Sequence, residues 1–206
     1  MKQKPVNWRS RFIIGLFPIL TVLLLIPAAV QNQEAIANPE GALKTYLHNA
    51  QQGNIGFGLA GFYNNRMSFE GLEPGDLVLG GYPDCAYGRF SHAAIYLGND
   101  QVAEAYAEVG VLISPVQHFH SYSQVCLLKV NAAPEIKQKA VEYIMSKRGA
   151  LFYPIAFKPG DRIWNCTKIM WKAYAVQGVD LDSGNDIWVT PDSFYRSSWV
   201  TVIREL

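Results

Sequence analysis

The chain has 206 residues, 50% of them apolar and 17% charged, which is one ordinary domain plus a short excess and excludes both a multidomain machine and a disordered chain. Its net charge is +1, but Lys2, Lys4, Arg9 and Arg11 all precede Phe12, and from Asn38 onward 14 basic residues face 16 acidic ones, a balance of −2. That balance argues against a phosphate-binding surface, so no nucleic-acid partner is expected.

Residues 12–30 are uncharged and almost wholly apolar, and they follow a segment carrying only positive charge. This is the layout of a membrane-targeting segment whose basic end stays on the cytoplasmic side. Ala35-Ile36-Ala37 offers the small-x-small pattern of a signal-peptidase site, while the apolar stretch approaches the ~20 residues needed to span a bilayer. Residues 1–37 therefore read as a cleaved signal peptide or an uncleaved anchor. No cysteine lies near residue 30, which argues against a lipid-modified amino terminus. Under either reading the domain, residues 38–206, works outside the cytoplasmic membrane: secreted, periplasmic, or held at the membrane's outer side.

Asn38 as cap, Pro39 at the first helical position and Glu40 in the first turn predict a helix to about Ala50. Glycines at 53, 56, 58 and 61 mark a loop that lacks the Lys-Ser/Thr ending of a phosphate cradle. Leu72 to Asp76 is a turn feeding a strand over 77–79. Strands over 92–97 and 101–106 flank Gly98-Asn99-Asp100 as a hairpin, and a further strand covers 125–130. Ile136, Ala140, Val141, Ile144 and Met145 recur at helical spacing over 134–147, as do Cys166, Ile169, Met170, Ala173 and Val176 over 166–176. A terminal strand over 199–203 completes a single α+β domain with helices flanking an antiparallel sheet.

Three cysteines, Cys85, Cys126 and Cys166, leave at least one thiol unpaired within the chain in an oxidising compartment. Cys85 and Cys126 could pair only if their Cα atoms come within about 7 Å. Cys166 follows Asn165, a good cap, and so starts a helix where unpaired N–H groups and the positive dipole end favour thiolate and could hold an oxyanion. A buried cysteine that merely fills space is the plain alternative. His92 begins a strand, and with a three-residue turn Leu97 opposes Gln101, Ala94 opposes Glu104 and His92 opposes Tyr106. Glu104 then shares the face of His92, one diagonal step away at roughly 7 to 8 Å. A two-residue turn would put Glu104 on the other face. In the favoured register Glu104 accepts the imidazole N–H and holds the tautomer that deprotonates a thiol. His118-Phe119-His120 reads as a loop, and although these histidines could join His92 and Glu104 at a metal, no pair has zinc-site spacing. No metal and no cofactor are expected.

Leu72-Glu73-Pro74-Gly75-Asp76-Leu77-Val78, Phe90-Ser91-His92-Ala93-Ala94-Ile95-Tyr96-Leu97-Gly98-Asn99 and Val102-Ala103-Glu104-Ala105 resemble blocks of the NlpC/P60 cysteine hydrolases. In most of that superfamily the cysteine comes first. Here Trp164-Asn165-Cys166-Thr167-Lys168-Ile169-Met170-Trp171-Lys172-Ala173-Tyr174 follows, an order similar to the circularly permuted YiiX/YebB-like branch, and Val189-Thr190-Pro191-Asp192-Ser193-Phe194-Tyr195 resembles a later block of that branch. The resemblance covers about residues 72–203. It implies a permuted papain-like fold with Cys166 as nucleophile, His92 as base and Glu104 as the orienting group. Thr167-Lys168 departs from the family's Ser-Glu, and Ala93-Ala94 from its x-Gly.

The expected function is thus a thiol hydrolase cleaving an amide or ester through an acyl-enzyme on Cys166. Its partners would be an envelope peptide or acyl-amide substrate, with membrane contact through residues 12–30. An acyltransferase using the same thiol and a non-catalytic envelope-binding module are the alternatives. The sequence leaves the oligomeric state open.

Overall fold

The computed structural model describes residues 8–31, 33–38, 41–107, 109–182, 184 and 186–206. Helix α1 covers Trp8–Gln31 and α2 Gln33–Ala37; α3 follows at Ala42–Gln51. The cap of α3 is Gly41, not Asn38, whose own N–H instead extends the preceding turn by donating to Glu34 O at 2.9 Å. Pro39 and Glu40 lie outside the described residues.

Strands β1 (Leu77–Gly81), β2 (His92–Gly98), β3 (Gln101–Tyr106), β4 (Gly110–Pro115), β5 (Gln124–Val130) and β6 (Val200–Glu205) form one antiparallel sheet in the order β4-β3-β2-β1-β5-β6. Helices α4 (Pro134–Met145), α5 (Cys166–Ala175) and α6 (Pro191–Tyr195) complete the mixed α+β arrangement. Strand alternation explains the two cores. Leu77, Leu79, Ala93, Ile95, Cys126 and Leu128 point toward Ile144, Ile169 and Met170, whereas Val78, Ala94, Val102 and Leu127 point toward Met67, Phe119 and Tyr122. Both faces of the sheet are therefore covered, one by helices and the other by irregular chain. β4 and the 3-10 helix Val116–Ser121, the segment expected as a loop, have no apolar periodicity long enough to read beforehand.

The β2–β3 hairpin differs from the three-residue turn expected. Its turn is Asn99-Asp100, both left-handed with φ of 51° and 56°, and Gly98, not Leu97, opposes Gln101. A bulge between Tyr96 and Gly98 inserts one residue into β2. The shorter turn and the added residue cancel, so Ala94 still opposes Glu104 and the facing of Glu104 is preserved.

Asp76 ties this sheet to the helical layer. Its fully buried carboxylate accepts from Val130 N at 2.9 Å and Glu73 N at 2.8 Å, and pairs with Lys137 Nζ at 2.7 Å. Gly75 beside it has φ +96°, and a Cβ there would stand 2.6 Å from Lys137 Cβ. The Pro-Gly-Asp block is thus a structural junction, distant in role from the chemistry.

Candidate active site

Cys166 opens α5, and its helix start is fixed from three directions. Asn165 Oδ1 accepts Lys168 N at 2.7 Å, Asn165 Nδ2 donates to Pro154 O at 3.1 Å, and the Thr167 hydroxyl donates to Val189 O at 2.6 Å. The first-turn N–H groups of Cys166 and Thr167, which no carbonyl of the helix can reach, lie at the positive end of the dipole. Cys166 is partly exposed, whereas Cys85 and Cys126 are buried, and all three are free thiols. Burial pushes Cys85 up to about 11 and Cys126 up to about 12, so neither supplies thiolate near neutrality.

His92 opens β2 at the end of the sheet, where a thiol on a helix of one face can reach an imidazole rooted on the other. Its Nε2 lies 2.9 Å from Glu104 Oε2, and Cys166 lies near enough to the same ring to bias its charge. Burial of the ring disfavours its charged form, but the influence of nearby Cys166 and the hydrogen-bonded Glu104 outweighs it and lifts His92 to about 9. Glu104 is fully buried, which opposes its ionisation. The hydrogen bond from His92, followed by the Ser114 hydroxyl and the charge of His118, nevertheless holds it below the usual carboxylate value. Glu104 Oε1 has no hydrogen-bond partner among the described residues. The structure thus pairs His92 with Glu104 and brings Cys166 into the neighbourhood of the ring.

An aromatic cage, foreseen only in that Tyr106 was expected opposite His92, holds the imidazole. Tyr106 stacks on His92 with centroids 4.5 Å apart and planes at 17°, and Tyr122 lies parallel to it at 6.1 Å. The Tyr106 hydroxyl meets His118 Nε2 at 2.7 Å and Tyr122 Oη at 3.0 Å, so His118 supports the cage and does not touch His92 through hydrogen bonds. His120 is spent on Met67 O at 3.0 Å. Tyr122 follows no strand or helix period, and nothing local in the sequence marks it.

Asp192 is the other residue whose role emerges only here. Its carboxylate accepts Arg89 N at 3.1 Å and Phe90 N at 3.0 Å, fastening the loop that leads into His92. Burial pushes this carboxyl up, against the pull of those two N–H groups. A Cβ on Gly88, where φ is +149°, would fall 2.2 Å from Asp192 Oδ2. Lys168, which departs from the Glu of the blocks the sequence resembles, is buried, donates to Pro159 O at 3.2 Å and lies over the Trp164 ring.

No family model matches this chain, and neither does any curated protein. Among solved structures it is similar to the crystal structure of metalloprotein yiiX from Escherichia coli O157:H7, a DUF1105 protein. The two share a TM-score of 0.52 and 15% identity over 65% of this chain and 97% of that one. The likeness is one of fold.

Proposed function

We propose that this protein, with its YiiX-like fold, is an extracytoplasmic thiol hydrolase of the circularly permuted, papain-like NlpC/P60 kind, cleaving an amide or ester through an acyl-enzyme on Cys166. The observation that carries the reading is the buried His92–Glu104 pair at 2.9 Å, with the partly exposed thiol of Cys166 near the same imidazole. A histidine lifted to about 9 beside Glu104 favours the protonated ring that a leaving group needs as its acid.

The chemistry follows from that pair. The Cys166 Sγ lone pair attacks the substrate carbonyl carbon, and the carbonyl π pair moves to oxygen beside the first-turn N–H groups of α5. Collapse of the tetrahedral adduct expels the amine or alcohol, which takes its proton from His92. Water then gives a proton to His92 as its oxygen attacks the thioester, and collapse releases the acid and restores the thiolate. Glu104 holds the imidazole in place and offsets its charge throughout. Because geometry and not chain order defines such a triad, the permutation is neutral to the chemistry.

The name of the similar protein raises a metal. The donors here do not fit one: His92 Nε2 is held by Glu104, His118 and His120 are committed to Tyr106 and Met67, and among the described residues no group of three metal-ligating side chains converges. No step is routed through a metal.

The expected substrate is a cell-envelope peptide or an N-acyl amide, met outside the cytoplasmic membrane. Among the described residues no helix is long and apolar enough to cross a membrane, so the role of residues 1–37 as signal or anchor rests on their order of charge and apolarity. The test is to incubate the protein with envelope extract, quench with acid and weigh it. An acyl adduct on Cys166 that vanishes in Cys166→Ala is expected, and its mass names the substrate class. Absence of any Cys166 adduct, with the thiol demonstrably free, would overturn the reading.

A further inference from the structure

Glu104 and Tyr106 stand two residues apart in β3 and so share one of its faces. Both bear on the same imidazole, the carboxylate at 2.9 Å from His92 Nε2 and the phenol ring stacked on it at 4.5 Å. The phenol also carries a hydroxyl that leads out of the core. Its Oη lies 2.7 Å from His118 Nε2 and 3.0 Å from Tyr122 Oη, and whereas Glu104 is fully buried, His118 is exposed. A chain of polar atoms thus runs from solvent, at His118, to the groups that hold His92.

The direction of that chain depends on one proton. Burial, and after it the charge of Glu104, pushes the Tyr106 phenol well up, so it stays a neutral O–H through the range in which histidines titrate. While His118 Nε2 carries no proton, it accepts from the Tyr106 hydroxyl, and the Tyr122 hydroxyl donates to Tyr106 Oη. Once Nε2 is protonated it can only donate, and the phenol's proton must turn inward. Two acceptors remain for it: Tyr122 Oη, and the Glu104 carboxylate, whose Oε1 is buried without a hydrogen-bond partner among the described residues. The carboxylate is the stronger acceptor, and its charge already bears on the phenol. Burial works against the charge of Glu104, His92 works for it, and the charge of His118 adds to the pull of His92. The groups that face His118 are Tyr106 and Glu104 from β3 and, from its own segment, Phe119 and Tyr122, whose rings it meets edge-on at 6.0 and 5.8 Å. His120 of the same segment is turned to Met67 O at 3.0 Å and stacks on Phe69. The chain paired with that segment, through Tyr63 N to Ser121 O and Asn65 N to His120 O, adds Tyr63 and Arg66, both exposed.

We propose that His118 is a positioning residue for the site, one that sets, through the Tyr106 hydroxyl, how much of the Glu104 carboxylate is left to His92. With Nε2 free, the phenol's proton is spent on His118 and the carboxylate serves the imidazole alone. With Nε2 protonated, the phenol turns to Glu104, and the imidazole is held less firmly. This coupling rests on the thiol-hydrolase reading only for calling His92 the base.

The test follows the ring nitrogens of isotope-labelled histidine by nuclear magnetic resonance in the full chain, held in detergent micelles, from about pH 5 to about pH 10. Signals are assigned with His48→Gln, His118→Gln and His120→Gln. The His92 nitrogens are expected to shift in two steps, their own and a second that coincides with the titration of His118. His118→Gln keeps an acceptor for the phenol but takes up no proton, and it should abolish the second step. Tyr106→Phe keeps the stacked ring and deletes the hydroxyl, and it should shrink that step at least about threefold, while His120→Gln leaves it in place. A melting curve shows that each variant is folded, and His118→Gln alone decides if Tyr106→Phe is not. A His92 titration in one step, a second step that survives His118→Gln, or one of full size in Tyr106→Phe would overturn the proposal. In Cys166→Ala the second step should persist, so failure of the hydrolase reading, seen as no adduct on Cys166, and failure of this coupling, seen as no second step, are distinguishable.

Discussion

His92 Nε2 and Glu104 Oε2 lie 2.9 Å apart although the backbone does not place the two residues opposite each other: Glu104 faces Ala94, and the carboxylate crosses the hairpin diagonally to reach the ring. A carboxylate buried with one oxygen on an imidazole and the other without a hydrogen bond has little structural reason to be charged. Its value is to the histidine. Glu104→Gln keeps the shape and one acceptor but removes the charge, so acyl-enzyme formation should fall on the order of 10²- to 10³-fold. Thermal unfolding should move little. Burst-phase mass spectrometry and a melting curve check both, and an undiminished burst would show that the carboxylate is idle.

Thiol reactivity should divide sharply. Iodoacetamide at neutral pH is expected to label Cys166 well before Cys85 or Cys126, which are buried and pushed up to about 11 and 12. His92→Ala should slow labelling of Cys166 alone. Equal rates at all three cysteines would contradict the assignment of the nucleophile.

The pH dependence follows from His92. Its folded value of about 9 lies above its ordinary 6.5, so folding favours the protonated ring. That contribution to stability is fully present below about pH 6.5 and is lost as pH rises through about 9. Chemical denaturation of the parent chain should show this loss over that window. His92→Gln should flatten it, and an equal slope in the variant would assign the titration elsewhere.

Asp192 and Asp76 should separate by their effects. Asp192→Ala leaves Arg89 N and Phe90 N without their acceptor, which should cost about 1 to 3 kcal/mol and slow acylation by loosening the lead into His92. Asp76→Ala breaks a buried pair with Lys137 and should cost about 3 to 5 kcal/mol, depleting folded protein. Folded material that survives should acylate at the parental rate per molecule. A reduced rate in correctly folded Asp76→Ala would place the Pro-Gly-Asp junction in the chemistry after all.

The elements with strong local codes were legible beforehand. The helices holding Ile136 to Met145 and Cys166 to Ala173 declare themselves by apolar spacing, and the parity of residues 92 and 104 placed Glu104 on the histidine's face. That facing depended on a turn length that proved different, and it survived because the bulge at Leu97 restored what the shorter turn removed. Composition and order also marked Cys166 as the thiol worth asking about, since a cap and a helix start are written in adjacent residues. Tertiary structure alone decided the rest. Tyr122 reaches His92 from a bend outside any strand, Asp192 fastens a loop 102 residues away, and the apolar side chains of 53–63 and 151–157 face outward instead of into a core. Local periodicity reports which face of an element is buried, but contacts between distant loops are selected by how the finished sheet and helices leave space, a property no short window of sequence contains.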